Sequence, residues 1–587
     1  MNEYNRTGII FCEPPLGYPL VDLTNLITMV RSNLKIPVII DQTRYLFSDF
    51  HVLIETIHLH RLTSVILTGN MPERFAHLVR SAMSNLGYST ESVFVVDPGE
   101  HWTMEESRIR EVYKLLERAY IQIVDRRIVA TNVHSDTVVV GAGIAGIQAA
   151  LELANAGIKV FLIEKSGTIG GHMAKFDKTF PTLDCAACIL TPKMVEIGQH
   201  PNIELMTCSE VVALDGKAGE FKVTVRQSPR WVDEKTCIGC GTCSEKCPVQ
   251  VVNEFDEGTS MRKAIYMPFP QAVPNKYMID GKACRFLLEA KCGVCLKVCP
   301  VNGCINFYQA TREIEIQAGN IIVANGFKVF QAARIERFGY GKFPNVLTSL
   351  EFERLINAAG PTGGEIAFRT TDKKGNRVFL NDSAKPGRIG IIHCIGSRDE
   401  NFNSYCSKVC CMYSLKLAHL VREKLQSAEV YEYFIDMRAY GKGYEEFYCR
   451  IQDEGVHMIR GRSARVDQAG DHLHLRTEDI LSGRILEQDM DMIILSVGME
   501  PTADQKELSG ILGIDLDSEG WFKALRHEID PVMSNRPGIW IAGACQGPKD
   551  IPDSVTQASA AAAGVLQSIL RGTLSDLAVF PLTYKTN

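Results

Sequence analysis

Thr137-Val138-Val139-Val140-Gly141-Ala142-Gly143-Ile144-Ala145-Gly146 reads as a buried strand, a glycine-rich turn and the first turn of a helix. Each glycine has its own task. Gly141 permits the tight turn, Gly143 lets bare backbone approach a pyrophosphate, and Gly146 lets the helix pack close to the strand. The helix N-terminus offers N–H donors and a positive dipole end to phosphates. A second strand, Lys159-Val160-Phe161-Leu162-Ile163, ends at Glu164. A carboxylate there, about 20 residues past the turn, can bind the ribose hydroxyls of a dinucleotide. FAD and NAD share this pattern.

The far segment helps choose. Gly538-Ile539-Trp540-Ile541-Ala542-Gly543-Ala544-Cys545 reads as an apolar strand ending in a small-residue turn, followed by an Ala-rich helix over 554–570. Flavoproteins of the two-dinucleotide type bring such a strand back to the flavin late in the chain. Ile321-Ile322-Val323-Ala324-Asn325-Gly326 reads as another returning strand.

Between these segments lie two cysteine runs, Cys237-x2-Cys240-x2-Cys243-x3-Cys247-Pro248 and Cys284-x7-Cys292-x2-Cys295-x3-Cys299-Pro300. The first matches the bacterial two-cluster ferredoxin run; the second stretches only its first spacing. In that run the fourth cysteine ligates the other cluster. The expected sets are therefore Cys237, Cys240, Cys243 with Cys299, and Cys284, Cys292, Cys295 with Cys247. Zinc also takes thiolates, but a zinc site needs four ligands and no interlocked second run. Cys304 and Cys449 have no partner at a useful spacing.

The chain has 587 residues, so several cores are expected. Hydrophobic content of 45% and charged content of 22% are those of ordinary globular protein. The net charge of −6 does not suggest a nucleic-acid partner. No apolar run reaches about 18 residues, so no membrane span is expected. The N-terminus shows no apolar signal segment, and the 19 cysteines then belong in a reducing cytoplasm as metal ligands or redox groups.

The fold class expected is α/β, with these parts: a small N-terminal α/β domain over 1–134; a FAD-binding domain in three pieces, 135–228, 311–344 and 488–575; an inserted ferredoxin domain over 229–310; a second nucleotide-binding-like domain over 345–487; and a tail over 576–587. In the N-terminal part, strands are expected at 8–11, 36–40 and 64–68 and a helix at 75–86.

A second glycine fingerprint, for NAD(P)H, should fall in Arg388-Ile389-Gly390-Ile391-Ile392-His393-Cys394-Ile395-Gly396-Ser397-Arg398-Asp399. The strand is present, but His393 and Cys394 stand where backbone must be bare, so nicotinamide binding is not expected. Cys394, Cys406, Cys410 and Cys411 fall within eighteen residues. Spacing alone leaves a cluster site and scattered core cysteines both open.

Long strings in this chain resemble the A-type polypeptide of heterodisulfide reductase and its iron–sulfur flavoprotein relatives. They are Gly141 to Gly146, Gly170-Gly171-His172-Met173-Ala174, residues 180–194, Gly396-Ser397-Arg398-Asp399-Glu400 with 405–412, and residues 543–553. The resemblance implies a thioredoxin-reductase-like, two-dinucleotide-domain flavoprotein with an inserted two-cluster ferredoxin. It implies FAD held by Gly141, Gly143, Ala145, Gly146, Glu164, Lys165, Gly171, His172, Met173, Gly326, Gly543, Ala544, Gln546, Asp550 and Ile551. It also implies a third [4Fe–4S] cluster on Cys394, Cys406, Cys410 and Cys411. Lys416 matches a family lysine near the flavin N5, where a cation stabilises the anionic reduced flavin.

The implied activity is electron transfer, with bifurcation or confurcation between a two-electron donor, ferredoxin and a disulfide-type acceptor. A non-bifurcating relay, or an NADPH-dependent reductase, is the alternative. The implied partners are B- and C-type subunits, an electron-donating subunit, ferredoxin, and a second or paralogous A-type chain.

Two departures are expected. The family's N-terminal cluster ligands correspond to Phe11-Cys12-Glu13-Pro14-Pro15-Leu16-Gly17, Leu46-Phe47-Ser48-Asp49 and Thr68-Gly69-Asn70, which offer one thiol, so that cluster is expected to be absent. No second ferredoxin domain is expected after residue 575. Cys185 and Cys188 read as structural cysteines rather than a redox dithiol.

Overall fold

Val138, Val139 and Val140 are buried in the strand Thr137–Val140, and the helix Ile144–Asn155 begins straight after the glycine turn. Gly141 has φ +98°, which favours glycine. A Cβ on Gly146 would stand 1.8 Å from the Gly141 carbonyl oxygen, so only hydrogen fits between helix and turn.

The protein is described by a computed structural model covering 133–571, apart from 373, 374, 376, 381–383, 528 and 529, with 574–575 and the segments 7–12, 23–34, 36, 38–40, 50–69, 72–86, 88, 92–97, 106–124 and 128–130. It divides into two compact units, one built on 1–129 with 575–587 and one on 130–574.

In the first unit four parallel strands lie in the order Val38–Ile40, Thr7–Cys12, Ser64–Gly69, Val93–Val96. The expected helix at 75–86 spans Pro72–Asn85. The strand Val93–Val96 was not legible as a separate element. Cys12 is buried at a strand end, and burial pushes its thiol up to about 12. The other positions compared with the family's N-terminal ligands, 13–17, 46–49 and 70, lie outside the described residues, as does the tail 576–587.

The second unit repeats one plan twice. Its first parallel sheet runs Ile539–Ile541, Asn320–Val323, Thr137–Val140, Val160–Ile163, Ile203–Met206. The late strand Ile539–Ile541 thus reaches the first strand through its fellow returning strand, Asn320–Val323. An antiparallel sheet of Arg312–Ala318, Glu220–Gln227 and Ser209–Lys217 accompanies it. Gln227 pairs with Arg312 across two neighbouring strands, so the 84 residues between them leave and re-enter at one strand end. They form two short hairpins and short helical turns, including Thr242–Glu245 and Val294–Val298.

The second parallel sheet runs Val346–Thr348, Met492–Val497, Arg388–Ile395, Glu429–Phe434, His457–Arg460, beside the antiparallel strands Ser463–Ala469, His472–Asp479 and Arg484–Met490. The expected boundary at 487/488 is therefore corrected. Met492–Val497 lies inside this second sheet, and every residue of it is buried. An apolar run reveals a buried strand but not which sheet takes it.

The helix Ser349–Ile356 joins the parts. Thr348 starts it with a capping box: its hydroxyl accepts from the Glu351 N–H at 3.2 Å, and Glu351 accepts from the Thr348 N–H at 2.7 Å. All eight residues are buried, including three charged ones, and each charge is paired. Glu351 meets Arg369 at 2.8 Å, Glu353 meets Lys416, and Arg354 meets Asp256 at 2.9 Å. Asp256 belongs to the inserted segment, and Arg354 also donates to the Lys175 carbonyl at 3.2 Å. Removing one partner of a buried pair costs about 3–5 kcal/mol, because the other charge stays buried. Arg354→Met should thus lower the urea midpoint of this unit sharply, and adding Asp256→Asn should recover part of the loss. An unchanged midpoint in the single variant would contradict this role.

Candidate cofactor cavity and cysteine sites

A cavity of about 550 Å³ opens along the carboxyl end of the first sheet. Gly141, Gly143 and Ala145 of the turn line it, with Glu164 beside them. A Cβ at Gly143 or at Gly326 would meet no atom within 4 Å, so both leave open space beside the backbone. A bare loop of this kind fits a pyrophosphate. The Glu164 carboxylate accepts from the N–H groups of Ala142 and Ser166, each at 2.8 Å. Burial pushes it up while those hydrogen bonds hold it down, with a net rise.

Gly171, His172 and Met173 form the next stretch of wall, and Ala544, Asp550 and Ile551 enter from the late-returning segment. His172 stacks on Phe327 at 4.3 Å and makes a hydrogen bond to its carbonyl at 3.0 Å. Burial, helped by Lys175, pushes His172 down to about 4 and keeps it neutral. Asp550 accepts from the Tyr444 hydroxyl at 2.5 Å, which links this wall to the second half.

Four residues expected to hold the flavin stand off the wall. Gly146 packs beneath the turn. Gly543, at φ +79°, presses on Ala145, where a Cβ would come within 2.8 Å. Lys165 is exposed and pairs with Asp504 at 2.8 Å. Gln546 donates to the Pro531 carbonyl at 2.6 Å.

Lys416 does line the cavity, and it is buried. Its ammonium donates to the Lys178 carbonyl at 3.0 Å, pairs with Glu353 and lies 5.3 Å from the centre of the Phe176 ring. Sequence reasoning missed Glu353. No local pattern marks a helical glutamate as the partner of a lysine 63 residues away.

The two cysteine runs close on two separate small cavities. Cys237, Cys240, Cys243 and Cys299 line one; Cys247, Cys284, Cys292 and Cys295 line the other. The crossed grouping follows from helical turns that start next to the cysteines, at Thr242 and Val294. Cys304, left without a partner by spacing, also lines the first cavity. Among the described residues no three His, Cys, Asp or Glu side chains converge as a single metal ion would require. Each set lines a space of its own, as a cube held by four thiolates needs.

The remaining cysteines gather differently. Cys410 and Cys411 open the helix Cys410–Lys424, and Cys394 stands at φ +58° near the end of its strand. Cys410 lies against both Cys394 and Cys411; Cys394 and Cys411 are shifted towards thiolate and Cys410 away from it. A helix N-terminus favours thiolates in the same way. Cys406 accepts from the Lys408 N–H at 3.3 Å, and the Arg398 guanidinium acts on both Cys394 and Cys406.

His393 sits under this group, fully buried and 2.9 Å from an equally buried Glu432. Burial opposes its charge, yet Glu432 and Cys411 push it up to about 10. Among the described residues Glu432 Oε1 and Arg398 Nη1 are buried without hydrogen-bond partners. A Cβ at Gly396 would strike the Phe330 ring at 2.2 Å, the reverse of the open space at Gly143. The second sheet therefore offers no bare loop for a pyrophosphate at this glycine.

Cys185 and Cys188 form a disulfide at the start of the helix Ala186–Gln199. The two were read from sequence as structural cysteines rather than a redox dithiol, and here they are joined to each other. The pairing is local, since three residues at a helix N-terminus bring the two sulfurs together.

Comparison with known proteins agrees with this architecture. Residues 139–201 match the NAD(P)-binding Rossmann-like domain family, and residues 230–253 the 4Fe-4S binding domain family. The chain is 42% identical over 578 residues to the first A-type iron–sulfur polypeptide of the CoB–CoM heterodisulfide reductase of Methanopyrus kandleri, covering 95% of this chain and 84% of that protein. It is 45% identical over 444 residues to the A-type polypeptide of the H(2):CoB-CoM heterodisulfide,ferredoxin reductase of Methanothermobacter marburgensis, covering 75% of this chain and 65% of that one. A protein of Archaeoglobus profundus that is itself like the A-type polypeptide of heterodisulfide reductase is 38% identical, over 97% of this chain and 87% of its own length. Among solved structures, a Lactococcus lactis thioredoxin reductase superposes with a TM-score of 0.41 at 15% identity, over 74% of this chain and 99% of that one. The fold is α/β, with a Rossmann-like dinucleotide-binding domain and a 4Fe-4S ferredoxin domain inserted. No helix among the described residues is long and apolar enough to cross a membrane. With 42% identity across 95% of its length, the chain belongs to the family of heterodisulfide reductase A-type polypeptides and is an oxidoreductase.

Proposed function

We propose that this chain holds FAD and three [4Fe–4S] clusters and carries electrons between them within a heterodisulfide-reductase-like complex, dividing electron pairs between ferredoxin and a disulfide-type acceptor. One observation carries the reading: both cysteine-bearing parts contribute wall to the large cavity. Val409, Tyr413 and Lys416 come from the helix that opens on Cys410 and Cys411 and the residue before it, and Asn253, Phe255 and Phe269 come from the insert. Bound there, FAD would supply the exchange between two-electron and one-electron chemistry, and the clusters would accept the single electrons.

The chain's own residues then have distinct tasks. The glycine turn and Glu164 bind and orient, and Phe255 and Phe269 exclude water. Lys416 holds a positive charge against the wall, offset by Glu353. The relatives' names mention heterodisulfide and ferredoxin, which supports ferredoxin and a disulfide-type acceptor as partners; the family resemblance adds B- and C-type subunits, a donor subunit, and a second or paralogous A-type chain. A non-bifurcating relay is the second reading, favoured by the Lys416–Glu353 pair, because a neutralised cation shifts flavin potentials less.

Anaerobic assay of the complete complex separates the two. Ferredoxin reduction that depends on a disulfide acceptor is the expected outcome; ferredoxin that stays oxidised with every component present would leave only the relay. In the isolated chain, about 12 iron atoms are expected from three cubes, falling to about 8 in Cys410→Ser/Cys411→Ser. An unchanged iron count in that variant would remove the third site. Lys416→Met leaves Glu353 facing the wall uncompensated and should lower the flavin midpoint potential by on the order of 30 mV or more. Adding Glu353→Gln should restore most of it. A potential indifferent to both changes would dismiss the pair from flavin tuning.

A further inference from the structure

A cleft of about 840 Å³, distinct from the flavin cavity, opens on the second half of the larger unit. Five arginines line it, and they come from separate places. Arg398 and Arg462 follow the carboxyl ends of the parallel strands Arg388–Ile395 and His457–Arg460. Arg476 and Arg484 project from the adjoining antiparallel strands, and Arg337 from the short turn Glu336–Phe338. Ligands of open α/β sheets bind at the carboxyl ends of parallel strands.

The charge balance is not closed from within. Three acids also line the cleft: Asp399, Glu400 and Glu478. Asp399 is buried and is shared by Arg462, at 2.7 Å, and Arg337, at 3.6 Å, so it holds two guanidinium groups in one place. Arg398 spends one side on Asp436 at 2.7 Å. Arg476 reaches Glu487 only at 3.7 Å. Among the described residues Arg484 has no ion-pair partner.

We propose that this cleft binds a small, multiply charged anion bearing phosphate or carboxylate groups. The guanidinium fork matches both groups with paired hydrogen bonds, which a lysine cannot do. This is not a dinucleotide site of the glycine type. The backbone after the strand Arg388–Ile395 is packed against Phe330 at Gly396, so side chains rather than bare amides would hold the charge. The proposal stands independently of the flavin and cluster reading.

Calorimetric titration of the full chain, purified without oxygen, tests it with pyrophosphate, ADP and citrate as probes. Pyrophosphate and ADP report phosphate recognition and citrate reports carboxylate recognition. At least one should bind saturably at one site per chain, weakening as salt rises. Arg476→Ala/Arg484→Ala should weaken that binding at least ten-fold, while Lys222→Ala, on a remote exposed strand, should not. Unchanged flavin content and urea midpoint would show that the variants fold, and Arg484→Glu alone provides a second variant should the double one fail. Absence of saturable binding by all three probes would overturn the proposal. So would binding that survives the arginine changes, or an arginine-dependent interaction found only with an acidic partner protein.

Discussion

Buried charge is the constraint on which this architecture turns. The helix Ser349–Ile356 has no exposed face, yet it carries Glu351, Glu353 and Arg354 into the interior. A charge taken out of water must find a partner or cost several kcal/mol. Its three partners lie in three different places: Arg369 in a strand that follows, Lys416 on the cavity wall, and Asp256 in the insert. Misplacing any one of these segments would strand a buried ion. The helix therefore holds the insert, the flavin cavity and the second sheet in a single arrangement.

A second helix places two chemistries side by side. In Cys410–Lys424, Tyr413 and Lys416 are three residues apart, and Val409 precedes Tyr413 by four, so all three lie on one face. That face meets the flavin cavity, while Cys410 and Cys411 at the N-terminus meet Cys394. The same strand that would have carried a nicotinamide loop supplies His393 and Cys394 instead. On the function proposed above, an electron path replaces a hydride-donor site within an unchanged sheet topology.

Much of this was legible in the chain because its signals are local. The turn at Gly141–Gly146 announces itself by spacing, and so does the crossed grouping of the two cysteine runs. The returning strand at 321–326 and the late strand at 538–545 were readable as apolar runs with small-residue ends. What could not be read depends on distant partners. Met492–Val497 looks like any buried strand, and its place between Val346–Thr348 and Arg388–Ile395 is decided by parallel pairing across about a hundred residues or more. Glu353 is an ordinary helical glutamate until Lys416 folds against it. Lys165 and Gln546, named by family resemblance, reach Asp504 and Pro531, contacts that no local pattern announces. The arginine cleft was invisible for the same reason, since its five side chains are scattered from 337 to 484.

The central claim is that the cysteine-held clusters and the flavin are close enough to share electrons. Rapid mixing of the anaerobic chain with a one-electron reductant, followed at flavin and iron–sulfur wavelengths together, tests this most directly. The account predicts that both chromophores bleach in one kinetic phase, whichever is reduced first. Flavin that bleaches while the clusters stay oxidised, or the reverse, would contradict it.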